Sequence, residues 1–462
     1  MPSRREVLLS SLAAPLAGCA LFESAPPADG RLAETRIGGR AITLTAHEQD
    51  FALGPEPAKL WLYGERPFPV LRLKKGEELR VTLKNALKEH SSIHWHGVRL
   101  PNAMDGVPYL TQLPVQPGEE FAYRFTPPDA GTFFFHPHCD TVEQLGRGLI
   151  GALIVEDEVY DDDVVLVLKD WRVDGQGRFL PLFTPSGASR AGTFGTLRTV
   201  NGAAQPAIAL KALSNVRVRL INADPTRICE IGAQGGAAQV IAIDGNPVTP
   251  FALETWRLGP GMRLDLLVAG DVQVLDYFAA APVLLASLHA GGGEGRAPAL
   301  PMPVVEDFTG ALEHNLELGQ GASADIPDAP PIVLPDGRKI DIADSLCLAE
   351  GAFWTLDGRS WPGRDHARLP PPLLELKRGQ KVLMTIANAT SRAHPIHIHG
   401  HTMQVLSASV LKRPPHRADT VLVLPNERVT VGFTADNPGN WMIHCHVIEH
   451  QETGMMGWFR VS

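Results

Sequence analysis

The sequence predicts an all-β protein made of three Greek-key β-sandwich domains. At 462 residues, the chain is longer than one typical domain, so two or three domains are expected. Its 44 glycines and 39 prolines favour many short strands joined by turns over long helices. A strand-and-turn frame also recurs in three places along the chain. Three related all-strand units are typical of Greek-key sandwiches.

The recurring frame begins at a turn and leads into a strand. In the first unit it runs from Pro117-Gly118 to His136-Pro137-His138, and in the third unit from Pro425-Asn426 to His444-Cys445-His446. The middle unit keeps the turn at Pro260-Gly261 but lacks the histidines. The frame therefore predicts that the first and third domains carry a site that the middle domain does not.

The repeats divide the mature chain into domains at residues 30–160, 161–305 and 337–462. Residues 306–336 are rich in proline, glycine and acidic side chains, which predicts a linker. The middle domain has His289 as its one histidine, so it cannot build a histidine-rich site by itself.

Residues 1–22 are predicted to be an export signal and are set aside from the fold. Arg4-Arg5 precede an apolar run, a pattern that resembles a twin-arginine signal. Leu16-Ala17-Gly18-Cys19 resembles a lipobox, in which the cysteine is acylated; the alternative is an ordinary cleavage site. On either interpretation we expect an exported protein in the periplasm or cell envelope.

Composition limits the partners. The net charge of -9 argues against nucleic acid, because neutralising phosphates requires a basic face. The mature region has no run long and apolar enough to span a membrane, so membrane contact is expected only through a lipid anchor at Cys19. The cysteines other than Cys19 and Cys445 are odd in number and scattered, which predicts no disulfide framework.

The tripeptide His444-Cys445-His446 predicts ligands for two different metal sites. In an extended strand the two imidazoles point one way and the thiol points the other. Cys445 with His450 and Met455 supplies the donors of a blue-type copper site, provided a second histidine comes from elsewhere. The alternative is a buried thiol flanked by surface imidazoles.

Four His-x-His pairs indicate a second, larger site. Each pair on a strand presents both imidazoles on one face, and burying them without partners would cost about 1–3 kcal/mol each. His394 is left over and completes the donor set of Cys445. Imidazoles accept zinc, copper, iron or nickel, whereas the set with thiolate and thioether favours copper. The pairs are His94/His96, His136/His138, His397/His399 and His444/His446.

The motifs H-W-H-G, H-P-H, H-P-I-H-I-H-G and H-C-H-V-I-E-H-Q-E-T-G-M resemble those of three-domain multicopper oxidases, the family of laccases and bacterial cuprous oxidases. The resemblance covers the whole mature chain. It implies cupredoxin-like domains and four copper ions: one type 1, one type 2 and a type 3 pair, with the trinuclear cluster between domains 1 and 3. It also implies that electrons pass from type 1 copper through the Cys445 backbone, and that dioxygen is reduced to water at the cluster.

The resemblance assigns each ligand. His394, Cys445 and His450 would hold the type 1 copper, with Met455 as a weak axial ligand, and His94 with His397 would hold the type 2 copper. The type 3 pair would be held by His96, His136, His138, His399, His444 and His446.

Two positions in the sequence bear on proton delivery to the cluster. Asp105 resembles the family's acidic residue beside the cluster, which assists proton delivery; the alternative is a turn residue before Gly106. A second family acid follows the type 1 histidine, but here that residue is Gln451, a departure from the pattern. A water chain or Glu449 would then have to substitute.

The resemblance implies an oxidase that couples one-electron oxidation of phenolic, aromatic or similar reductants to four-electron reduction of dioxygen. A periplasmic cuprous oxidase for copper tolerance is the alternative, which the few and scattered methionines weaken. A non-catalytic copper-binding or cell-division scaffold is a third interpretation. Such relatives lose ligands, whereas the full set is present here. A monomer is expected.

Overall fold

The computed structural model describes residues 29–156, 160–293, 295, 304–321, 332–333, 339–340, 353–361 and 369–462. The predicted export signal and Cys19 lie outside these residues. The described chain is mostly β-strand, which confirms the predicted all-β class. In this part of the chain, no helix has the length and apolar character needed to cross a membrane.

The first domain pairs two sheets. Its strands are β1 (Glu34–Arg36), β2 (Ala41–Ala52), β3 (Pro57–Leu62), β4 (Val70–Lys74), β5 (Leu79–Asn85), β6 (His94–His96), β7 (Glu120–Phe125), β8 (Gly131–His136) and β9 (Gly151–Glu156). One sheet has the order β1-β4-β9-β8-β6 and the other β3-β2-β5-β7. The parallel pairs β1/β4, β4/β9 and β2/β5 show that strands distant in sequence are neighbours, as in a Greek key.

The second domain has one large sheet. Its strands are β10 (Asp163–Trp171), β11 (Leu197–Val200), β12 (Ala207–Ala209), β13 (Val216–Asn222), β14 (Cys229–Ile243), β15 (Asn246–Ala252), β16 (Trp256–Leu258), β17 (Arg263–Asp276) and β18 (Val283–His289). The main path is β11-β10-β13-β17-β14-β15, and the remaining strands pair at its sides.

The third domain again pairs two sheets. Its strands are β19 (Leu312–Gln320), β20 (Ile332–Val333), β21 (Lys339–Ile340), β22 (Trp354–Leu356), β23 (Leu374–Leu376), β24 (Gln380–Asn388), β25 (His394–Ile398), β26 (Met403–Ala408), β27 (His416–Ala418), β28 (Thr420–Val423), β29 (Arg428–Ala435), β30 (Gly439–Cys445) and β31 (Met456–Val461). The two sheets have the orders β22-β19-β24-β29-β26-β27 and β23-β31-β30-β25-β28. A short ladder joins β20 to β21.

One part of the predicted linker belongs to the third domain. Residues 312–320 form β19, which pairs in parallel with β24. The proline- and acid-rich composition on either side of this strand led to the linker assignment, but its alternating apolar residues are buried in the domain, at Leu316 and Leu318. The exact domain boundaries stay a prediction.

A buried asparagine marks the same position in all three domains. The side chains of Asn85 and Asn222 each donate to two backbone carbonyls, and that of Asn388 donates to three. Each of them also accepts from a backbone N–H two residues later. Each asparagine ends the strand that pairs with the strand after the recurring turn. The repeat inferred from the turns is therefore also present in the hydrogen bonding.

The hydrophobic packing places the outer domains against each other. One cluster of buried side chains contains Trp95 and Phe135 of the first domain together with Trp441 and Phe459 of the third. The second domain has a separate core. The described residues also form three short α-helices: α1 (Thr141–Gly146), α2 (Pro185–Ala188) and α3 (Ile448–Glu452).

Candidate metal centres

The four His-x-His pairs meet in one buried cluster between the first and third domains. The His94 ring lies 3.9 Å from that of His399, and the His96 ring lies 3.7 Å from that of His397, measured between centroids. None of the eight imidazoles is more than 1% exposed. Strands β6 and β25 therefore face each other across the domain interface, as the sequence pattern requires. The eight are His94, His96, His136, His138, His397, His399, His444 and His446.

Backbone carbonyls fix the orientation of four of these rings. The Nδ1 atoms of His94 and His397 lie 2.8 and 3.0 Å from the carbonyl oxygens of Asp105 and Asp419. Those of His136 and His444 lie 3.0 Å from the carbonyl oxygens of the residues that follow them. A carbonyl only accepts, so Nδ1 carries the proton and the lone pair of Nε2 points into the cluster.

The inward nitrogens fit a metal. Among the described residues, no hydrogen-bond partner is found for Nε2 of His94, His136 and His397, for Nδ1 of His96, or for either ring nitrogen of His138 and His446. His399 and His444 turn their Nε2 atoms toward each other at 3.1 Å. Buried lone pairs without donors are unfavourable unless a cation takes them. Four groups of three imidazoles each bring their ligand atoms within 4.8 Å of one another: His94/His96/His397, His94/His138/His399, His96/His136/His446 and His397/His399/His444.

Burial keeps seven of these imidazoles neutral. It lowers the pKa of seven of them, and neighbouring imidazoles lower the pKa further, because a second positive charge in the cluster would be repelled. A neutral imidazole is the form that binds a metal. The seven are His96, His136, His138, His397, His399, His444 and His446.

A second group lies within the third domain. The Cys445 Sγ atom is 3.5 Å from His394 Nδ1 and 3.6 Å from His450 Nδ1, and the two Nδ1 atoms are 3.1 Å apart. All three side chains are fully buried, and so is Met455, whose carbonyl accepts from the Cys445 N–H at 3.0 Å. Burial raises the pKa of the Cys445 thiol. A metal bound here would take up the thiolate and release the proton.

The central tripeptide joins the two groups. His444 and His446 lie in the imidazole cluster, while Cys445 between them lies with His394 and His450. The alternation of side chains along β30 is the cause. Because both imidazoles are fully buried, the alternative of a thiol between surface imidazoles is wrong.

Two carboxylates flank the cluster. Asp105, predicted from the sequence, is fully buried, and its Oδ2 lies 2.9 Å from His399 Nδ1. It also follows a 3-10 helix (Asn102–Met104), so the turn and the site interpretations both describe it. The sequence analysis missed Asp419, whose Oδ1 lies 3.1 Å from His96 Nε2 and 3.3 Å from His397 Nδ1. Its one local signal is that it directly precedes Thr420, the strand partner of His397.

The middle domain supports the cluster without supplying any of the predicted ligands. Arg263, fully buried, forms an ion pair with Asp419 of the third domain at 2.5 Å and donates to the Thr132 carbonyl of the first at 3.0 Å. Gly261 packs so closely on His446 that an added Cβ would lie 2.7 Å from its ring. The middle domain therefore keeps its recurring turn because that turn packs against the cluster.

The acids near α3 face away from the cluster. The Glu449 carboxylate accepts from the Thr193 N–H and hydroxyl and from the Thr184 N–H, and burial raises its pKa to about 7. Glu452 accepts from the Val142 N–H at the start of α1, at 2.9 Å. Gln451 is buried, and its Oε1 has no hydrogen-bond partner within the described part of the chain.

Comparison with known proteins identifies the family. Three family profiles, each described as multicopper oxidase, match residues 46–159, 156–294 and 350–462. The chain is 30% identical to the multicopper oxidase MmcO of Mycobacterium tuberculosis, covering 98% of this chain and 95% of the relative. It is 29% identical to Laccase-2 of Pleurotus ostreatus, covering 87% and 83%.

A solved structure agrees with the fold. The crystal structure of a multi-copper oxidase from Pseudomonas thermotolerans has a TM-score of 0.81 and 34% identity, covering 93% of this chain and all of that one. Multicopper oxidases bind copper, and the buried imidazole and thiol groups are compatible with copper sites. The chain belongs to the multicopper oxidase family and is an oxidoreductase that uses oxygen as electron acceptor.

Proposed function

We propose that the chain binds four copper ions and works as a laccase-like oxidase. His394, Cys445, His450 and Met455 would hold the type 1 ion, and His94 and His397 would hold the type 2 ion. The type 3 pair is held by His96, His136, His138, His399, His444 and His446. The observation that carries the proposal is the set of inward imidazole nitrogens that have no hydrogen-bond partner among the described residues.

Bound copper supplies one-electron oxidation at the type 1 site and four-electron reduction of dioxygen to water at the other three ions. The protein contributes the path and the protons. Cys445 connects to His444 and His446 through single peptide units, so the route between the two groups is covalent and short. The Asp105 carboxylate, hydrogen-bonded to His399 Nδ1, lies beside the cluster and can accept a proton there.

Small aromatic reductants are the donors we favour, because laccases are among the similar proteins. Cuprous ion, the alternative reductant expected from the sequence, is the second candidate. The number of methionines, nine in the whole chain, favours the first. We further infer from residues 1–22 that the mature protein is exported to the periplasm or cell envelope, with Cys19 as a candidate acylation site. A monomer is our separate expectation.

Metal analysis, absorption and oxygen uptake test the proposal together. We expect about four copper ions per chain and a blue absorption band at about 600 nm from the copper–thiolate bond. Cys445→Ser removes this band, whereas the matched control Cys139→Ser, a buried thiol next to His138, keeps it. Wild-type protein without a blue band would refute the assignment.

Oxygen uptake with equal concentrations of a phenol and of Cu(I) separates the two donors. Faster uptake with the phenol is the expected result, and faster uptake with Cu(I) would favour the cuprous oxidase. The mass of the mature N-terminus tests acylation of Cys19, and light scattering tests the monomer.

A further inference from the structure

The two imidazoles of the proposed type 1 site are covered in different ways on their outer side. His394 Nε2 lies 2.8 Å from the hydroxyl of Thr390, which belongs to the same domain and the same turn. His450 Nε2 lies 2.6 Å from the backbone carbonyl of Arg190, which belongs to the second domain. Because a carbonyl only accepts, His450 carries its proton on Nε2 and turns the lone pair of Nδ1 toward Cys445.

Arg190 lies in a loop, residues 184–193, whose two ends meet. The hydroxyls of Thr184 and Thr193 are 2.7 Å apart, and α2 lies between them. Both threonines bond to the carboxylate of Glu449, the residue before His450. The Glu449 side chain therefore ties the two ends of the loop together beside the type 1 site.

The middle of the loop also contacts the site. The indole Nε1 of Trp354 donates to the Ala188 carbonyl at 2.6 Å, and its ring lies 4.4 Å from that of His450. His450 and Trp354 are fully buried, while most side chains of the loop are partly exposed. A dissolved reductant cannot touch His450 while the loop is in this position.

We propose that the 184–193 loop is a displaceable cover that determines which reductants reach His450. In the closed state the Arg190 carbonyl occupies the hydrogen-bonding position on Nε2, and an aromatic donor gains that position only when the loop moves. The apparent affinity for such a donor is then reduced by the fraction of open molecules. Electron donors that act without touching the imidazole are not limited in this way. The inference rests on the proposed type 1 site.

Gly187 offers a way to displace the loop without altering a predicted ligand. A Cβ added to Gly187 would lie 2.0 Å from the Thr193 hydroxyl and 2.7 Å from its backbone nitrogen, so Gly187→Ala forces Thr193 away from Glu449. Gly175→Ala is the matched control in the same domain, because its Cβ would meet nothing within 4 Å. Thr193→Val, which removes the hydroxyl's hydrogen bonds to Glu449 and to Thr184, is a milder second variant.

The first test uses copper-free protein and needs no activity. Diethyl pyrocarbonate modifies accessible imidazoles, and mass spectrometry of peptides gives the rate at each histidine. We expect Gly187→Ala to accelerate modification of His450 about tenfold, Thr193→Val to accelerate it less, and Gly175→Ala to match the wild type. His394 serves as internal control and stays slow. An unchanged rate at His450, or equal acceleration at both histidines, would overturn the proposal.

The second test uses copper-loaded enzyme. Gly187→Ala is expected to lower KM for a dimethoxyphenol about tenfold with a smaller change in kcat, and to leave the rate with hexacyanoferrate(II) unchanged. Equal changes for both donors would contradict a cover. The blue band distinguishes the two levels of inference: if the wild type lacks it, the proposed function fails, whereas an intact band with unchanged KM removes only the cover. If Gly187→Ala does not fold, Thr193→Val decides.

Discussion

The first and third domains share the strands that carry the His-x-His pairs but differ in metal-binding potential. His94 and His397 follow Ser91 and His394 at the same spacing, and His136 and His444 precede Pro137 and Cys445. Thus the third domain has an imidazole and a thiol where the first has a hydroxyl and a proline ring. Both domains supply imidazoles to the shared cluster, and only the third has the donors of a type 1 site.

The comparison teaches that one strand geometry serves two purposes. The face of the strand that carries His-x-His is used in both domains, because each domain turns that face toward the other. The opposite face points into the domain's own interior. There Pro137 packs without a donor atom, while Cys445 finds His394 and His450.

Replacing a proposed type 1 ligand of the third domain by the equivalent residue of the first domain is expected to have the largest effect on turnover. His394→Ser places the residue of the first domain at the equivalent position and removes one type 1 imidazole. We expect loss of the blue band and a fall in turnover of more than about 100-fold, beyond the range of outer ligands. Metal analysis should still find the cluster ions. Ser91→Ala is the control, and a retained blue band in His394→Ser would refute the assignment.

Of the two carboxylates beside the cluster, Asp105 should mainly affect turnover and Asp419 should mainly affect stability. Asp105→Asn keeps the shape but removes a base, so we expect turnover to fall about 10- to 100-fold with little change in thermal unfolding. Asp419→Asn leaves the buried charge of Arg263 poorly compensated and should cost about 3–5 kcal/mol of unfolding free energy. Denaturant titration and steady-state rates separate the two. Equal behaviour of the variants would contradict this division.

Acid should destabilise the copper-free third domain more than the first. Burial lowers the pKa of six of its proposed ligands, to about 3 for His450, against three in the first domain. Unfolded imidazoles take up protons near pH 6.5 and the buried ones do not, so stability is present above about pH 6.5 and is lost as pH falls below it.

Each such imidazole contributes up to about 1.4 kcal/mol per pH unit. Hydrogen exchange of copper-free protein at pH 7 and pH 5 measures the effect by domain. Opening is expected to increase first in peptides of the third domain. An earlier increase in the first domain would contradict the prediction.

Two equivalent glycines give the smallest predicted difference. Gly131 and Gly439 begin β8 and β30, both with positive φ. A Cβ at Gly131 would lie 2.6 Å from the backbone oxygen of Gly245, whereas at Gly439 it would meet the side chain of Asn102. We expect Gly131→Ala to cost about 1–3 kcal/mol and Gly439→Ala less, because a side chain can move. Thermal unfolding checks the order, and a reversed order would show that the Asn102 contact is the more rigid one.

The sequence predicted those parts of the molecule that depend on local spacing. Alternation along a strand is a local rule, so the faces of His444, Cys445 and His446 followed from it, and the repeated turns indicated three related domains. Strand β19 was assigned to a linker because the residues on either side of it are rich in proline. Only its pairing with β24 shows that it belongs to the third domain.

The supporting contacts could not be predicted in the same way. Asp419, Arg263 and the Arg190 carbonyl act on residues far away in sequence, and no spacing rule connects them. Arg263 in particular resembles an ordinary strand residue until the three domains are assembled.

The position of Arg263 has a consequence for maturation. Its side chain contacts the Thr132 carbonyl and Asp419, so the pocket around His96 and His397 is complete only when all three domains are assembled. Residues 94 and 397 are far apart in sequence, and contacts between residues distant in sequence form slowly during folding. Metal uptake at the cluster would therefore depend on the assembly of all three domains, because a chain with any one domain misplaced lacks the cage that would retain a metal.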